Sequence, residues 1–427
     1  MRHVALVAPH FVPSNLTSVH RARLLASHLP EFGWKPTIVT VHEKYYEEPL
    51  EPDLSATLPP GLEIRKASAF SVRPVRWIGD VGVRGFWGMW REIRRLHRER
   101  PIDFLHVTIP SNFAAPLGRL ARERLGVPYG IDYIDPWVHE WPEARKRFSK
   151  AWWSLFLGSK LEPWSVARAS LITGITAPYY QGMLDRNPGL SGRVVTAAMP
   201  YGWSPLDYRA LEKLPRKLFL FEPGAEFNLV YAGAILPQSY PYLEAFLGAV
   251  RRLRDEDPAA AARLRVRFIG TGKSAVDARG HNVLPLAERF GVAEIVSEHP
   301  RRIGYLDVLN HLKASSAVLI LGSTEAHYSP SKCFQAVLSK RPVLAVLHAE
   351  SEAVPFLRES GAGRCVTFAE GESAGPDRIL EALRQTLAGG YEESRVRWEL
   401  LERFSAAQSS RALADAMDRA LSGGKGP

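Results

Sequence analysis

Short apolar runs alternate along the chain with stretches of helical periodicity. In the first half the runs are HVALVAP from His3, PTIVTV from Pro36, DFLHVT from Asp103, VPYGIDYI from Val127 and LITGIT from Leu171. The second half repeats the theme with FNLVYAG from Phe227, LRVRFIG from Leu264, AVLILG from Ala317 and PVLAVLH from Pro342. Runs this continuous predict strands buried on both faces, as in parallel sheets built from βαβ units. Helical stretches between them include 18–29 and 112–125. The region 200–224, rich in Pro, Gly and polar residues, reads as an interdomain linker. The pattern therefore predicts two α/β domains, 1–203 and 226–392, joined by a linker over 204–225. A last helical stretch within 393–427 ends in GGKGP. Ligands of open α/β sheets bind beyond the carboxyl ends of the strands. The loops after Val7, Ile134, Tyr231, Ile269 and Ile320 are thus expected around one interdomain cleft.

Composition narrows the class. With 427 residues, 46% of them apolar, the chain can bury two cores, which excludes disordered and disulfide-scaffold proteins. The two cysteines, Cys333 and Cys365, read as reduced thiols of a cytosolic protein. No apolar window approaches the ~20 residues of a membrane-spanning helix, and MRHVALVAP is too short for a signal peptide. The expected location is cytoplasmic, with any membrane contact peripheral.

The formal net charge of +10 is local. Residues 71–100 carry a balance of +5 and 143–168 one of +4, so the rest of the chain is nearly neutral. Ten of the eleven tryptophans lie at or before Trp203. From Phe86, the order FWGMWREIRRLHR sets Phe86, Met89 or Trp90, Ile93 and Leu96 on one helical face and Arg91, Arg94, Arg95 and Arg98 on the other. RKRFSKAWWSLFLGSK, from Arg145, adds Trp152 and Trp153 beside a basic cluster. Two readings are open. Such stretches suit an interfacial contact with an anionic membrane, or helices that pack an apolar face on the sheet with arginines in water. Nucleic acid is not expected, because the remainder is near neutral and no reading motif is present.

Three nucleotide or metal signatures fail. GTGKS from Gly270 lacks the first glycine of a Walker A loop, where Arg267 stands. No G-x-G-x-x-G follows the first strand. Asp255-Glu256-Asp257 ends a solvated helix, so no metal is expected there. The most informative stretch is AVLILGSTEAHYSPSKCFQAVLSKRPVLAVLH, from Ala317. It reads strand, loop, helix, strand, with Ser329 as N-cap, Pro330 at N1, and Ser331 and Lys332 in the first turn. A lysine there opposes the helix dipole, which fits a bound anion or a side chain turned to solvent.

That pattern, S-K-x-F-x-x-x-L-S-x-K/R-P-V-L, resembles the donor-binding region of GT-B glycosyltransferases, especially family 4. The resemblance runs along nearly the whole chain. VAPHFVPSNLTSVHRARLLASHLPEFGWKPTIVTVH resembles the family's first strand, loop and helix, and GVPYGIDYIDPW its P-x-x-x-D-x-R-D-x-W strand end. SLITGITAPYYQGML, MPYGWSPLDY, LVYAGAILPQSYPYLEAF and VRFIGTGKS follow in the family's order. The resemblance implies the GT-B fold: two Rossmann-like parallel-sheet domains facing a cleft, with the C-terminal helix crossing back to the first. It also implies transfer of a sugar from a nucleotide-diphosphate donor to a saccharide or lipid-linked acceptor, retaining and without a metal or other cofactor. Surface polysaccharide or glycolipid assembly is the expected setting.

On the donor side the resemblance points to Gly233, Lys273, Glu325, His327, Ser329, Ser331, Lys332 and Gln335. The family's two glutamates map onto His327 and Gln335, with Glu325 two residues away as a substitute for the first. Its diphosphate Arg and Lys map onto Ala234 and about Ser239, so Arg301 or Arg302 would share that role. On the acceptor side the usual Gly-Gly becomes Ser14-Asn15-Leu16-Thr17, and Asn15, Thr17, His20 and Arg21 are the candidate contacts. Asp135 is the preferred base for an acceptor hydroxyl. His139 is the alternative, since imidazole titrates near neutrality. Asp135 also reads as a helix cap and His139 as a surface histidine. Two further functions stay open: a sugar-nucleotide epimerase of the same fold, and a non-catalytic protein that binds sugar nucleotide or a partner enzyme.

Overall fold

The continuous apolar runs form the central strands of two parallel sheets. The computed structural model describes residues 1–73, 76, 78–139, 142–214, 216–272, 280–325 and 332–423. It divides into two compact units, Met1–Leu206 with Phe404–Pro427, and Asp207–Arg403.

The first unit holds β1 (Arg2–Val7), β2 (Trp34–Val41), β3 (Glu63–Ala67), β4 (Phe104–Ile109), β5 (Tyr129–Tyr133), β6 (Leu171–Gly174) and β7 (Val195–Ala198). They are parallel in the order β3-β2-β1-β4-β5-β6-β7, with Val4 opposite Pro36 on one side and Phe104 on the other. Chain order reverses direction between β1 and β4, and at such a switch point the loops part to leave a crevice. Four helices of this unit matter below: α1 (Thr17–His28), α2 (Val81–Glu99), α3 (Pro116–Leu125) and α4 (Lys150–Val166). The C-terminal helix Ala406–Leu421 packs on α1 and β7, and Ser405 caps it by accepting from the Gln408 amide.

The second unit holds β8 (Phe227–Ala232), β9 (Leu264–Ile269), β10 (Val296–His299), β11 (Ala317–Leu321), β12 (Val343–His348) and β13 (Gly363–Phe368). Their order is β10-β9-β8-β11-β12-β13, which puts the switch point between β8 and β11. The expected linker is not bare chain. Within 204–225, the helix Pro205–Lys213 packs Ala210 and Leu211 on Leu306 and Leu309 of the second unit. At the other end, residues from Glu393 still belong to the second unit, where Lys340 pairs with Glu393 and the Arg397 amide bonds Ser360. The chain re-enters the first unit only at Phe404.

The two basic stretches take different fates. Helix α2 is capped by Asp80, whose carboxylate accepts from the Val83 amide. It buries Met89, Ile93 and Leu96 and packs on β2 and β3, while Arg91, Arg94, Arg95 and Arg98 face water. Gly88 is required there, because a Cβ would lie 2.0 Å from the Ser68 carbonyl oxygen. The interfacial reading is therefore corrected for 81–99: its apolar face is core. Helix α4 buries only Gly158, Glu162, Ser165 and Val166, and its Trp153, Phe156 and Trp164 are exposed.

Candidate functional site

At the first switch point, loops after β1, β4 and β5 and the start of α2 surround a pocket of about 360 Å³. His10, Thr17, Asp80, Ser111, Asn112 and Asp135 are among its lining residues. His10 Nδ1 lies 2.8 Å from Glu48 Oε1, and Ser14 Oγ donates to the same oxygen at 2.5 Å. Burial of Glu48 would raise its pKa, but hydrogen bonding and charge from His10, with the Ser14 bond, lower it to about 2. Asp80 is saturated by the Val83 amide and by Ser111 Oγ at 2.9 and 3.0 Å. Asp135 stays accessible to solvent, yet the protein around it raises its pKa, which His139 opposes. Asn112 Oδ1 is buried without a hydrogen-bond partner among the described residues.

The remaining acceptor-side candidates scatter. His139 is bonded through Nδ1 to the Pro136 carbonyl and lines a separate pocket of about 510 Å³ with Trp152, Phe156 and Arg186. Asn15 bonds Glu51 at 2.5 Å and His20 at 2.6 Å, and His20 accepts from Arg23, so these polar groups tie the loop to α1. Arg21 is a correction. It is 2% exposed and grips Asp132 with Nε at 2.9 Å and Nη2 at 3.1 Å, while Nη1 donates to the carbonyls of Met199 and Pro200. Asp132 also accepts from Thr173, which meets His106 Nε2 at 3.1 Å. An acceptor has no access to Arg21; it is a buried structural cation. Burial would raise the Asp132 pKa, but the charge and bonds of Arg21 hold it below the usual carboxylate range. Burial lowers His106 to about 4.

At the second switch point, Gly233 follows β8 with a φ of 149°, and a Cβ there would lie 1.5 Å from Lys332 Nζ. Only glycine leaves room for that ammonium. The Lys332 chain is solvent-accessible, but its Nζ sits 6.0 Å from the Tyr231 ring centroid in crowded surroundings. Desolvation, with like charge from Arg302, lowers its pKa to about 8. Neither Lys332 nor Arg302 has a carboxylate partner among the described residues. Gln335 stands on the same helix, Lys332–Leu338, with its Oε1 buried and unpaired among the described residues. Glu325 turns back on its own loop, where Ser323 Oγ contacts it at 3.4 Å. Lys273, His327, Ser329 and Ser331 lie outside the described residues. Among those described, no group of three His, Cys, Asp or Glu is arranged to hold a metal. Asp255 and Glu256 are paired with arginines, and Asp257 caps the next helix.

Sequence reasoning missed His10, Glu48, Asp80 and Asn112. His10 had a signal, since it directly follows the first strand. Glu48 had none, because it arrives from a separate loop.

Residues 18–196 match the model of the glycosyl transferase 4-like domain. No curated protein matches the chain. Among solved structures, HepE (Alr3699) of Anabaena, in complex with UDP and glucose, is similar at a TM-score of 0.59 and 13% identity, covering 98% of this chain and 100% of that one. Sucrose-phosphate synthase of Thermosynechococcus elongatus is similar at 0.56 and 13%, covering 98% and 95%. A candidate UDP-N-acetylglucosamine 2-epimerase of Listeria monocytogenes is similar at 0.53 and 11%, covering 98% and 96%. Residues 18–196 are thus similar to a glycosyl transferase 4-like domain, and the two parallel-sheet units have the GT-B fold.

Proposed function

We propose that this protein is a glycosyltransferase that moves a sugar from a nucleotide-diphosphate donor to an acceptor hydroxyl. The observation that carries the reading is Lys332 over Gly233. A crowded ammonium beside Arg302, with no carboxylate among the described residues to neutralise it, is costly unless an anion binds there. A diphosphate supplies that charge, and the backbone at Gly233 lets it approach closely. During transfer, negative charge grows on the departing diphosphate, and cations beside it stabilise the transition state more than the ground state. Lys332 and Arg302 thereby carry the charge compensation that a divalent cation supplies in other enzymes. Gln335 Oε1 offers an acceptor to a ribose hydroxyl. HepE, of the same fold, has been solved with UDP-glucose, which supports a nucleotide-diphosphate sugar as donor.

The test is a thermal-shift panel of UDP-, GDP- and dTDP-sugars followed by a nucleotide-release assay. Stabilisation with turnover is expected. No stabilisation by any nucleotide overturns the reading, and stabilisation without release on saccharide or lipid-linked acceptors favours a non-catalytic binding protein. Conversion of a bound UDP-sugar to its epimer would favour the epimerase.

The partner on the acceptor side is an anionic membrane face, met through α4 and the loop before it. Phe148 is 71% exposed, Trp153 45% and Leu157 44%, and the rings of Trp152 and Phe156 stack at 5.3 Å. Phe148 holds a φ of 63°, a region a non-glycine residue enters at a cost of ~1–3 kcal/mol. Around these rings Arg145, Lys146, Arg147, Lys150 and Lys160 are exposed and have no carboxylate partner among the described residues. Aromatic anchors within a cationic ring suit an anionic bilayer, where each cation contributes about 1 kcal/mol. Co-sedimentation with phosphatidylglycerol vesicles and none with phosphatidylcholine vesicles is expected. Equal partitioning to both would remove the membrane from the reading.

A further inference from the structure

Helix α4 turns three faces to three surroundings. Gly158, Glu162 and Ser165 are buried. Trp153, Leu157, Lys160 and Trp164 follow at i, i+4, i+7 and i+11 as an exposed stripe. Beside that stripe Trp152, Leu155, Phe156 and Ser159, at i, i+3, i+4 and i+7, share a third face and wall the pocket of about 510 Å³. Val138 after β5 and Arg186, the last residue of the helix Pro178–Arg186, also line it. Most of this wall is apolar, and two cations stand at it. Arg186 donates to Glu162 Oε2 from Nε at 3.0 Å and from Nη2 at 2.7 Å. That carboxylate is 1% exposed and also accepts from the Tyr133 hydroxyl, so the guanidinium is held from beneath. Its Nη1 has no hydrogen-bond partner among the described residues. Lys160 Nζ lies 5.9 Å from the Phe156 ring centroid, and it too has no carboxylate partner among the described residues. No carboxylate is among the residues that line the pocket.

Resting on the membrane contact proposed above, we infer that this pocket holds one anionic phospholipid of the bilayer, its phosphate met by Arg186 and Lys160. A guanidinium fixed by a buried carboxylate keeps an oriented N–H for a second anion, and an ammonium beside it adds charge without geometric demand. Trp152 and Phe156 are already stacked, 5.3 Å apart at 6°, and Lys160 stands over Phe156. That arrangement favours a hydrocarbon chain over a sugar or base, which needs an open ring face. The chain lies along Trp152, Leu155 and Phe156. The exposed Trp153 and Leu157 adjoin this wall on the same helix, so the chain passes from bilayer to pocket over apolar surface. One bound lipid thus adds a specific attachment to the diffuse attraction of the basic cluster.

The experiment titrates the full-length chain with dioctanoyl phosphatidylglycerol below its micellar concentration, followed by native mass spectrometry and calorimetry. Saturable uptake of a single lipid per chain is expected. Dioctanoyl phosphatidylcholine, which lacks net charge, and inorganic phosphate, which lacks a chain, should each bind at least ~10-fold more weakly. Ser159→Trp fills the pocket without touching the Arg186–Glu162 pair. It should abolish uptake of the single lipid, while co-sedimentation with phosphatidylglycerol vesicles persists through Trp153 and Leu157. Lys160→Gln and Arg186→Gln should each weaken uptake ~5-fold. Arg186→Gln also leaves Glu162 buried without its cation, so Ser159→Trp and Lys160→Gln carry the test if that variant fails to fold. Absence of saturable uptake, equal affinity for phosphatidylcholine, or uptake by Ser159→Trp within ~3-fold of wild type overturns the inference. Vesicle binding that persists in those cases leaves the membrane contact standing. Farnesyl phosphate binding more tightly than phosphatidylglycerol would replace the bilayer phospholipid with an isoprenoid carrier and overturn the inference. Lipid uptake without any preference for anionic vesicles overturns the membrane contact, and with it the bilayer as the source.

Discussion

Arg21 and Lys332 are cations near the start of helices that follow strands flanking the two switch points. In sequence they gave one signal, a positive charge set against a helix dipole. The structure gives them opposite fates. Arg21 is sealed by Asp132, a carboxylate on β5, and by two carbonyls at the exit of β7. Lys332 has an aromatic ring, a bare glycine and another cation for neighbours. A sealed charge supports the fold, whereas an unsealed one beside an open backbone is where an anion gains most. The difference lies in whether the sheet directs a carboxylate at the helix.

The largest effect comes from unsealing Arg21. Asp132→Asn leaves its guanidinium buried and unpaired, and should cost ~3–5 kcal/mol of stability, read by urea unfolding. The pH dependence carries the same sign. The folded pKa of Asp132 is depressed, so its contribution is present above the unfolded value of about 3.9 and is lost as pH falls through the folded one. His106, lowered to about 4, adds to this, since unfolding takes up a proton as pH falls from about 6.5 to 4. Stability should therefore decline over that window, and a flat profile would detach His106 from the network.

Lys332→Ala is the converse test. Removing a desolvated, unpaired charge should leave the melting temperature unchanged or raised, while nucleotide-diphosphate affinity falls ~10–100-fold by calorimetry. Gly233→Ala should mimic it, because the new methyl occupies the ammonium's place. Affinity equal to wild type in both variants would break the comparison.

A smaller effect follows from pH. Lys332 titrates at about 8, so nucleotide affinity should hold below that value and fall above it, by at most tenfold per pH unit. Binding near pH 8 should take up a fraction of a proton, visible as a calorimetric heat that changes with buffer ionisation enthalpy.

The smallest stability effect separates the two basic helices. Phe156→Ala on α4 should shift stability within about ±0.5 kcal/mol while weakening vesicle binding. Ile93→Ala on α2, by contrast, should cost about 2–5 kcal/mol and leave vesicle binding intact.

Much of the sheet architecture was legible. Nine apolar runs predicted nine strands, because a central parallel strand must be apolar on both faces. The four that escaped, β3, β7, β10 and β13, lie toward or at the sheet edges, and EIRKA and VSEH carry charges there because one side meets water. Gly233 and Lys332, proposed for the donor, were each readable from the chain segment that follows a strand. The His10–Glu48 pair was not, since the two gain meaning only from each other.

The sequence by itself therefore determined the alternation of strand and helix, the division into two α/β halves and the placing of the excess charge. Those follow from local periodicity and composition. Tertiary structure decided which charges are neutralised, which aromatic helix is core and which histidine is oriented. Each depends on a partner far along the chain, Asp132 for Arg21, the β2–β3 surface for α2 and Glu48 for His10, and only folding brings such partners within hydrogen-bond or packing distance.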